Sequence, residues 1–253
     1  VLLFVLLNWL PLKPADLWGH VAYGRWIVEH GELPTSEPFL ASSNARFQSH
    51  GWLAQVAMYG LFDATGAAGL NAAHALLVTA SVASLGYALR CRGVPQAWCL
   101  LGAAAGVLIA WPQAAVIRPQ LVGAVAIPLV LCAAQRLRRD ALPMYWLPSL
   151  FALWAQLHGS WIVGLAVLVV LGLGRAIESL AWHRFDDEER SIALRFAGCA
   201  ALCLAATLIH PDGLRGISDA LTFGSHPNLA GLREWQPLRV DGPSGWLFAG
   251  SLL

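Results

Sequence analysis

Residues 143–180 read PMYWLPSLFALWAQLHGSWIVGLAVLVVLGLGRAIESL. Two apolar stretches, 143–157 and 160–180, are parted only by His158-Gly159. Neither alternates apolar with polar residues as a half-buried strand would. The second has the ~20 residues that a helix needs to cross a hydrocarbon core. This pair sets the fold class: all-α, polytopic and membrane-embedded. The same pattern recurs outward on both sides, at 1–12, 67–89, 97–111, 120–135, 192–209 and from Trp246 onward. Residues 52–63 are apolar but short, ended by Asp63 and Gly66, and read as a helix at the membrane interface. The sum is about seven or eight transmembrane helices with amphipathic extracytoplasmic helices. The chain forms a single transmembrane domain over 1–253, with polar loops at 13–51 and 210–245.

Composition points the same way. Of 253 residues, 57% are hydrophobic and 12% charged, and the mean hydropathy is +0.59. Soluble domains carry about 25% charged residues. A net charge of +1 gives no basic surface for nucleic acid. Many of the twelve tryptophans fall near segment ends, where amphipathic rings sit at headgroup level. The cysteines, Cys91, Cys99, Cys132, Cys199 and Cys203, lie in apolar segments or beside arginine clusters, which argues for packing rather than a disulfide framework. The chain opens at Val1 and closes at Leu253 inside apolar runs, and so reads as a fragment cut at both ends.

Arginine sets the orientation. One set of connections holds Arg90, Arg92, Arg136, Arg138, Arg139, Arg175, Arg184, Arg190 and Arg195 at high density. The other side holds Lys13, Arg25, Arg46, Arg118, Arg215, Arg233 and Arg239 spread over much longer loops. By the positive-inside rule the dense side is cytoplasmic. Every polar motif then falls on the opposite, extracytoplasmic face: Asp16-Leu17-Trp18-Gly19-His20, Ser49-His50-Gly51-Trp52, Arg118-Pro119-Gln120, Gln156-Leu157-His158-Gly159, His210-Pro211-Asp212-Gly213 and Glu234-Trp235-Gln236. Asp16, Arg118 and His158 are expected to share a cavity there.

The first loop has readable structure. A helical pattern begins after Asp16 and ends at Gly31. Leu17, Val21 and Val28 mark a face suited to lying on the membrane, and Asp16, His20 and Tyr23 mark another. Asp16 suits a general base or a ligand of a divalent ion; it equally suits a helix N-cap. His20, at i+4, can orient Asp16 or share a metal with it, although two ligands fall short of the usual three. His50 and His158 are candidates to orient substrate, against plainer roles as an interfacial anchor and a helix–helix turn. Arg118, followed by Gln120, suits phosphate, because its planar fork pairs two oxygens at once; its plainer role is a snorkelling interface arginine. His210 and Asp212 lie in a tight turn that Gly213 permits. Glu234 and Trp235 suit hydroxyl contacts and stacking with a sugar.

These motifs together resemble the GT-C superfamily, polytopic glycosyltransferases that use polyprenyl-phosphate-linked sugars. The resemblance rests on one span followed by a large loop with an acidic residue just past the membrane. It rests also on Asp16 through Gly24, Ile27, Gly31, Pro34 and Pro38-Phe39, on His50-Gly51-Trp52-Leu53, and on the four later motifs. It implies transfer of a hexosyl or pentosyl group from a lipid-phosphate donor to an acceptor outside the bacterial inner membrane. It implies Asp16 as base or metal ligand, with His20, His50, Arg118, Gln120, His158, His210, Asp212, Glu234 and Trp235 binding substrate. Many members carry two adjacent acids after the first span; here Leu17 takes the second place, which bears on use of a divalent metal ion. Two other classes fit the same composition: a membrane transporter or channel lined by the boundary His, Asp and Arg, and a non-enzymatic integral membrane protein packed through small residues such as Ala103 to Gly106.

Overall fold

The computed structural model describes residues 1–39, 47, 51–181, 186–222 and 242–250. Among these the chain is all-helical. In order the helices are α1 (Leu2–Trp9), α2 (Leu17–His30), α3 (Trp52–Cys91), α4 (Gln96–Ala114), α5 (Leu121–Leu137), α6 (Pro143–Leu157), α7 (Trp161–Ala181), α8 (Asp187–Thr207), α9 (Leu214–Thr222) and α10 (Pro243–Gly250). Three of them, α3, α7 and α8, are long and apolar enough to cross a membrane; Gln96–Trp111 and Leu121–Leu137 are shorter apolar helical segments.

The 40-residue α3 is two helices in series. Gly66 breaks it at φ 64, ψ −157, a conformation that costs glycine little and other residues much. Its first part corresponds to the short apolar stretch at 52–63 and its second to the expected span at 67–89. Helix α2 ends as the pattern predicts, on Gly31 in the left-handed conformation, with the Gly31 N–H donating to Ile27 O.

Three clusters of apolar side chains hold the bundle: one seats Leu7 of α1 on Ala75 and Val78 of α3, and two others bear on the site. In the larger, Leu147, Phe151 and Trp154 of α6 are fully buried among Val130 and Leu137 of α5, Leu168 of α7, and Phe196 and Cys199 of α8. Both Cys199 and Cys203 are fully buried in it, as packing residues would be. The second joins α2 to the rest. Leu17 and Val21 are buried against Leu70 of α3 and Ile117, which precedes α5. This corrects the sequence reading of α2. Its Leu17/Val21 face packs on protein rather than lying on the membrane; only Val28 of that face stays exposed. A spacing of apolar residues shows that a face is buried but not what covers it.

The close seating of α2 depends on Gly24. A Cβ there would lie 2.0 Å from the backbone oxygen of Gln55, so no other residue allows this crossing of α2 over the start of α3. The bundle alternates direction. The start of α5, the α6–α7 turn and the end of α8 gather at one end, together with α2 and the first turn of α3. The Arg136–Arg139 cluster and the Arg175–Glu189 ion pair between α7 and the start of α8 mark the other.

Candidate functional site

Asp16 stands at the N-cap position of α2, yet its carboxylate makes no capping hydrogen bond. It turns instead to residues that the chain delivers from elsewhere. The Nε of Arg118, 102 residues away, donates to Asp16 Oδ1 at 3.2 Å. On the other oxygen, Oδ2, the Nε2 of His20 stands at 3.7 Å, one helical turn along. Asp16 is half exposed, whereas the Arg118 side chain retains only 12% of its exposure. His20, then the Arg118 charge, holds the Asp16 carboxyl below its ordinary range, against an opposing push from partial burial. The group is therefore an anion at neutral pH. His20 Nδ1 is buried and has no partner.

Trp18, next to this group in sequence, meets Phe62 edge-on at 5.4 Å between centroids and remains half exposed. Tyr23, one further turn along α2, donates from its hydroxyl to Glu37 Oε1 at 2.6 Å. The rings of Phe39 and Phe47 pack on Tyr23 at about van der Waals contact. Burial and the Glu37 charge both push the Tyr23 hydroxyl upward from its ordinary range, so it serves as a donor. Glu37 thus pins the turn-rich segment after α2 back onto α2, a pairing that its sequence neighbourhood of Thr35-Ser36-Glu37 does not announce.

The α6–α7 turn forms a second group at the same end. Trp52 Nε1, in the first turn of α3, donates to Gln156 Oε1 at 2.8 Å across 104 residues. His158 has extended backbone, and its Nδ1 accepts from the Ser160 N–H at 3.0 Å. In the neutral ring the proton then sits on Nε2. Trp154 Nε1 donates to Ser160 Oγ at 3.0 Å. His210 repeats the device after α8: its Nδ1 accepts from the Asp212 N–H at 3.1 Å, and the Asp212 carboxylate lies 3.8 Å away. Gly213 has φ 50 in that turn. A hollow between the two turns is lined by Gly159, Trp161, Thr207, His210 and Gly213; neither Asp16 nor Arg118 lines it. Gln120 occupies the N-cap position of α5 without a capping hydrogen bond.

Four joints close these pieces into a circuit. Asp16 meets Arg118; α5 then meets the α6–α7 turn where a Cβ on Gly123 would stand 2.7 Å from Ser160 Oγ; Gln156 meets Trp52; and Gln55 meets Gly24, on α2 again. No family model, curated protein or solved structure matches the chain. Among the described residues no three His, Cys, Asp or Glu side chains converge as metal ligands. Of the residues singled out from sequence, Asp16 meets both His20 and Arg118, His210 meets Asp212, and His158 bonds within the α6–α7 turn. His50, Glu234 and Trp235 lie outside the described residues. The Trp52–Gln156 and Tyr23–Glu37 bonds had no sequence signal as pairs, since nothing local relates positions so far apart.

Proposed function

We propose that the chain is the membrane core of a glycosyltransferase that moves a hexosyl or pentosyl group from a polyprenyl-phosphate donor to an acceptor hydroxyl. On this reading it crosses a bacterial inner membrane about seven or eight times, with the Asp16 end extracytoplasmic. The observation that carries it is the Asp16–Arg118 contact. A carboxylate in position to cap a helix instead faces a largely buried guanidinium from a distant segment, at the end where the polar motifs gather. Structural capping does not require that arrangement; a base beside an anion-holding cation does.

In the reaction, Asp16 Oδ2 accepts the acceptor hydroxyl's proton as that oxygen attacks the anomeric carbon. The bond from the anomeric carbon to the phosphate oxygen breaks, and its electron pair leaves with the lipid phosphate. Arg118 stabilises the charge that grows on the leaving phosphate. Trp18, half exposed beside Asp16, offers a face for the sugar ring.

The test is transfer from a panel of radiolabelled polyprenyl-phosphate hexoses and pentoses, using the full-length protein in membranes. Asp16→Asn keeps size and shape but cannot take the proton. It should lower the rate by roughly 10²–10⁴-fold with the protein still folded. Transfer at near wild-type rate by Asp16→Asn removes Asp16 as the base, and no transfer from any donor by the wild-type protein removes the activity.

A further inference from the structure

The two sides of the arginine-rich end differ in charge. On one side α7 meets α8. There Arg175 pairs with Glu189 and Glu178, and α8 opens on Asp186, Asp187, Glu188 and Glu189. On the other side are the α3–α4 and α5–α6 turns. They carry Arg90, Arg92, Arg136, Arg138 and Arg139, and Asp140 is the only acid in either. That carboxylate is already engaged through both oxygens. Oδ2 accepts from Arg136 Nε at 3.2 Å and Oδ1 from the Leu142 N–H at 2.9 Å. Arg90 donates to Val94 O at 2.9 Å, a carbonyl that leaves its charge uncancelled. Among the described residues, Arg92, Arg138 and Arg139 are exposed and pair with no carboxylate.

The two turns form one patch, because α3 packs along α5. Arg92 is within electrostatic reach of Cys132 on α5, and Arg136 of Tyr87 on α3. The patch has an aromatic border. Tyr145 and Trp146, in the first turn of α6, are exposed, as are Tyr87 and Trp98 beside the α3–α4 turn. Such rings suit the headgroup level of a bilayer, where one edge is apolar and the other wet. Arginine at that level pairs its fork with phosphate oxygens. Resting on the membrane placement proposed above, and not on sugar transfer, we infer that these two turns hold the headgroup of an anionic phospholipid. Arg138 and Arg139 take its phosphate, and Tyr145 and Trp146 flank its glycerol and upper chains. A zwitterionic lipid brings a cation of its own, which the arginines repel. A soluble anion offers nothing to the rings. The acidic α7–α8 side repels the same lipid, so the site lies on one flank of the bundle.

The experiment counts bound lipid and needs no sugar transfer. Full-length protein in detergent is titrated with phosphatidylglycerol or phosphatidylcholine, and the first lipid bound is followed by native mass spectrometry. Phosphatidylglycerol should bind the more tightly. The double variant Arg138→Gln, Arg139→Gln should weaken phosphatidylglycerol by roughly tenfold, as expected for two arginines near a lipid headgroup, and leave phosphatidylcholine unchanged. Arg190→Gln, on the acidic side, should change neither. Added salt should weaken phosphatidylglycerol alone. If the double variant does not fold, the salt dependence of the wild-type protein decides. Equal affinity for the two lipids, an unchanged double variant or binding indifferent to salt overturns the site. An equal loss in Arg190→Gln overturns its position. Displacement of phosphatidylglycerol by an equal concentration of inorganic phosphate overturns the lipid as its occupant. A protein that prefers phosphatidylglycerol as expected yet transfers no sugar keeps the site and loses the enzyme reading; one that transfers sugar without the preference loses the site alone.

Discussion

Asp16 and Asp186 occupy the same position relative to a helix, at opposite ends of the bundle. Asp186, at the N-cap of α8, uses its side chain to accept from the Glu189 N–H at 3.0 Å. Its helix opens on Asp187, Glu188 and Glu189, which suit the positive end of the helix dipole. Asp16 gives its carboxylate to Arg118 and His20 and leaves the first turn of α2 uncapped. Pairs at the Asp186 end stay within a short stretch of sequence: Arg136 with Asp140 four residues on, and Arg175 with Glu189 fourteen on, between consecutive helices. The joints at the Asp16 end reach across about a hundred residues. One end uses charge to finish helices and to tie consecutive ones; the other uses it to bring segments far apart in sequence together. Aspartate at an N-cap is ordinary, so the informative observation is the one that declines to cap.

The largest test of this contrast is which side each end faces. In a cysteine-free background, a cysteine at Glu37 should be labelled from outside by an impermeant thiol reagent, and one at Arg138 should not. Labelling at Arg138 from outside reverses the orientation and leaves the gathering of motifs without an extracytoplasmic meaning. Next in size is Gln156→Leu, which leaves the Trp52 N–H without its acceptor in a partly buried site. It should destabilise by about 1–3 kcal/mol in thermal unfolding, and adding Trp52→Phe should recover part of that loss. Smaller again is Asp186→Ala, which should cost about 1 kcal/mol, while Asp186→Asn should cost only a few tenths because Asn caps comparably. Sugar transfer should be unchanged in both. A transfer defect in Asp186→Asn would erase the distinction between the two aspartates.

The smallest effect is in pH. Asp16 is held below its ordinary value of 3.8 when folded. The stability from its ionised form is therefore present above that value and lost as pH falls through the lowered one. Arg118→Gln removes one of the two groups that hold it down. The acid edge of the unfolding-temperature profile should then move upward toward 3.8. A downward or absent shift would mean that Arg118 does not act on Asp16 in solution.

The helices were largely legible in the sequence. Long apolar runs, Gly31 and Gly66 marked most boundaries, because hydropathy and backbone permissiveness are local properties. The partner of each face was not. Leu17 and Val21 declared an apolar face that read as membrane-facing, and the structure shows Leu70 and Ile117 covering it instead. Asp16, His20 and Arg118 could be named one by one as polar residues at segment ends. The i, i+4 pairing of Asp16 with His20 was readable, and Asp16 and Arg118 were expected to share a cavity; the direct bond between Arg118 and Asp16 was not readable, since it depends on where α2 crosses α3, and that crossing depends on the missing side chain of Gly24. The Trp52–Gln156 and Tyr23–Glu37 bonds were out of reach for the same reason: pairing across a fold leaves no trace at either residue alone.

The four-jointed circuit that runs from Asp16 through Arg118, Ser160, Gln156, Trp52 and Gln55 back to Gly24 has a consequence for how the site tolerates damage. A closed chain of supports has two routes between any two of its members. Slackening one joint leaves the other route in tension, so single substitutions in the circuit are expected to be milder than the contacts they remove. Two cuts divide it into separate pieces, and the second is felt in full. Harm at this end of the molecule should therefore compound rather than add, which gives the site tolerance to isolated errors and a sharp threshold beyond them.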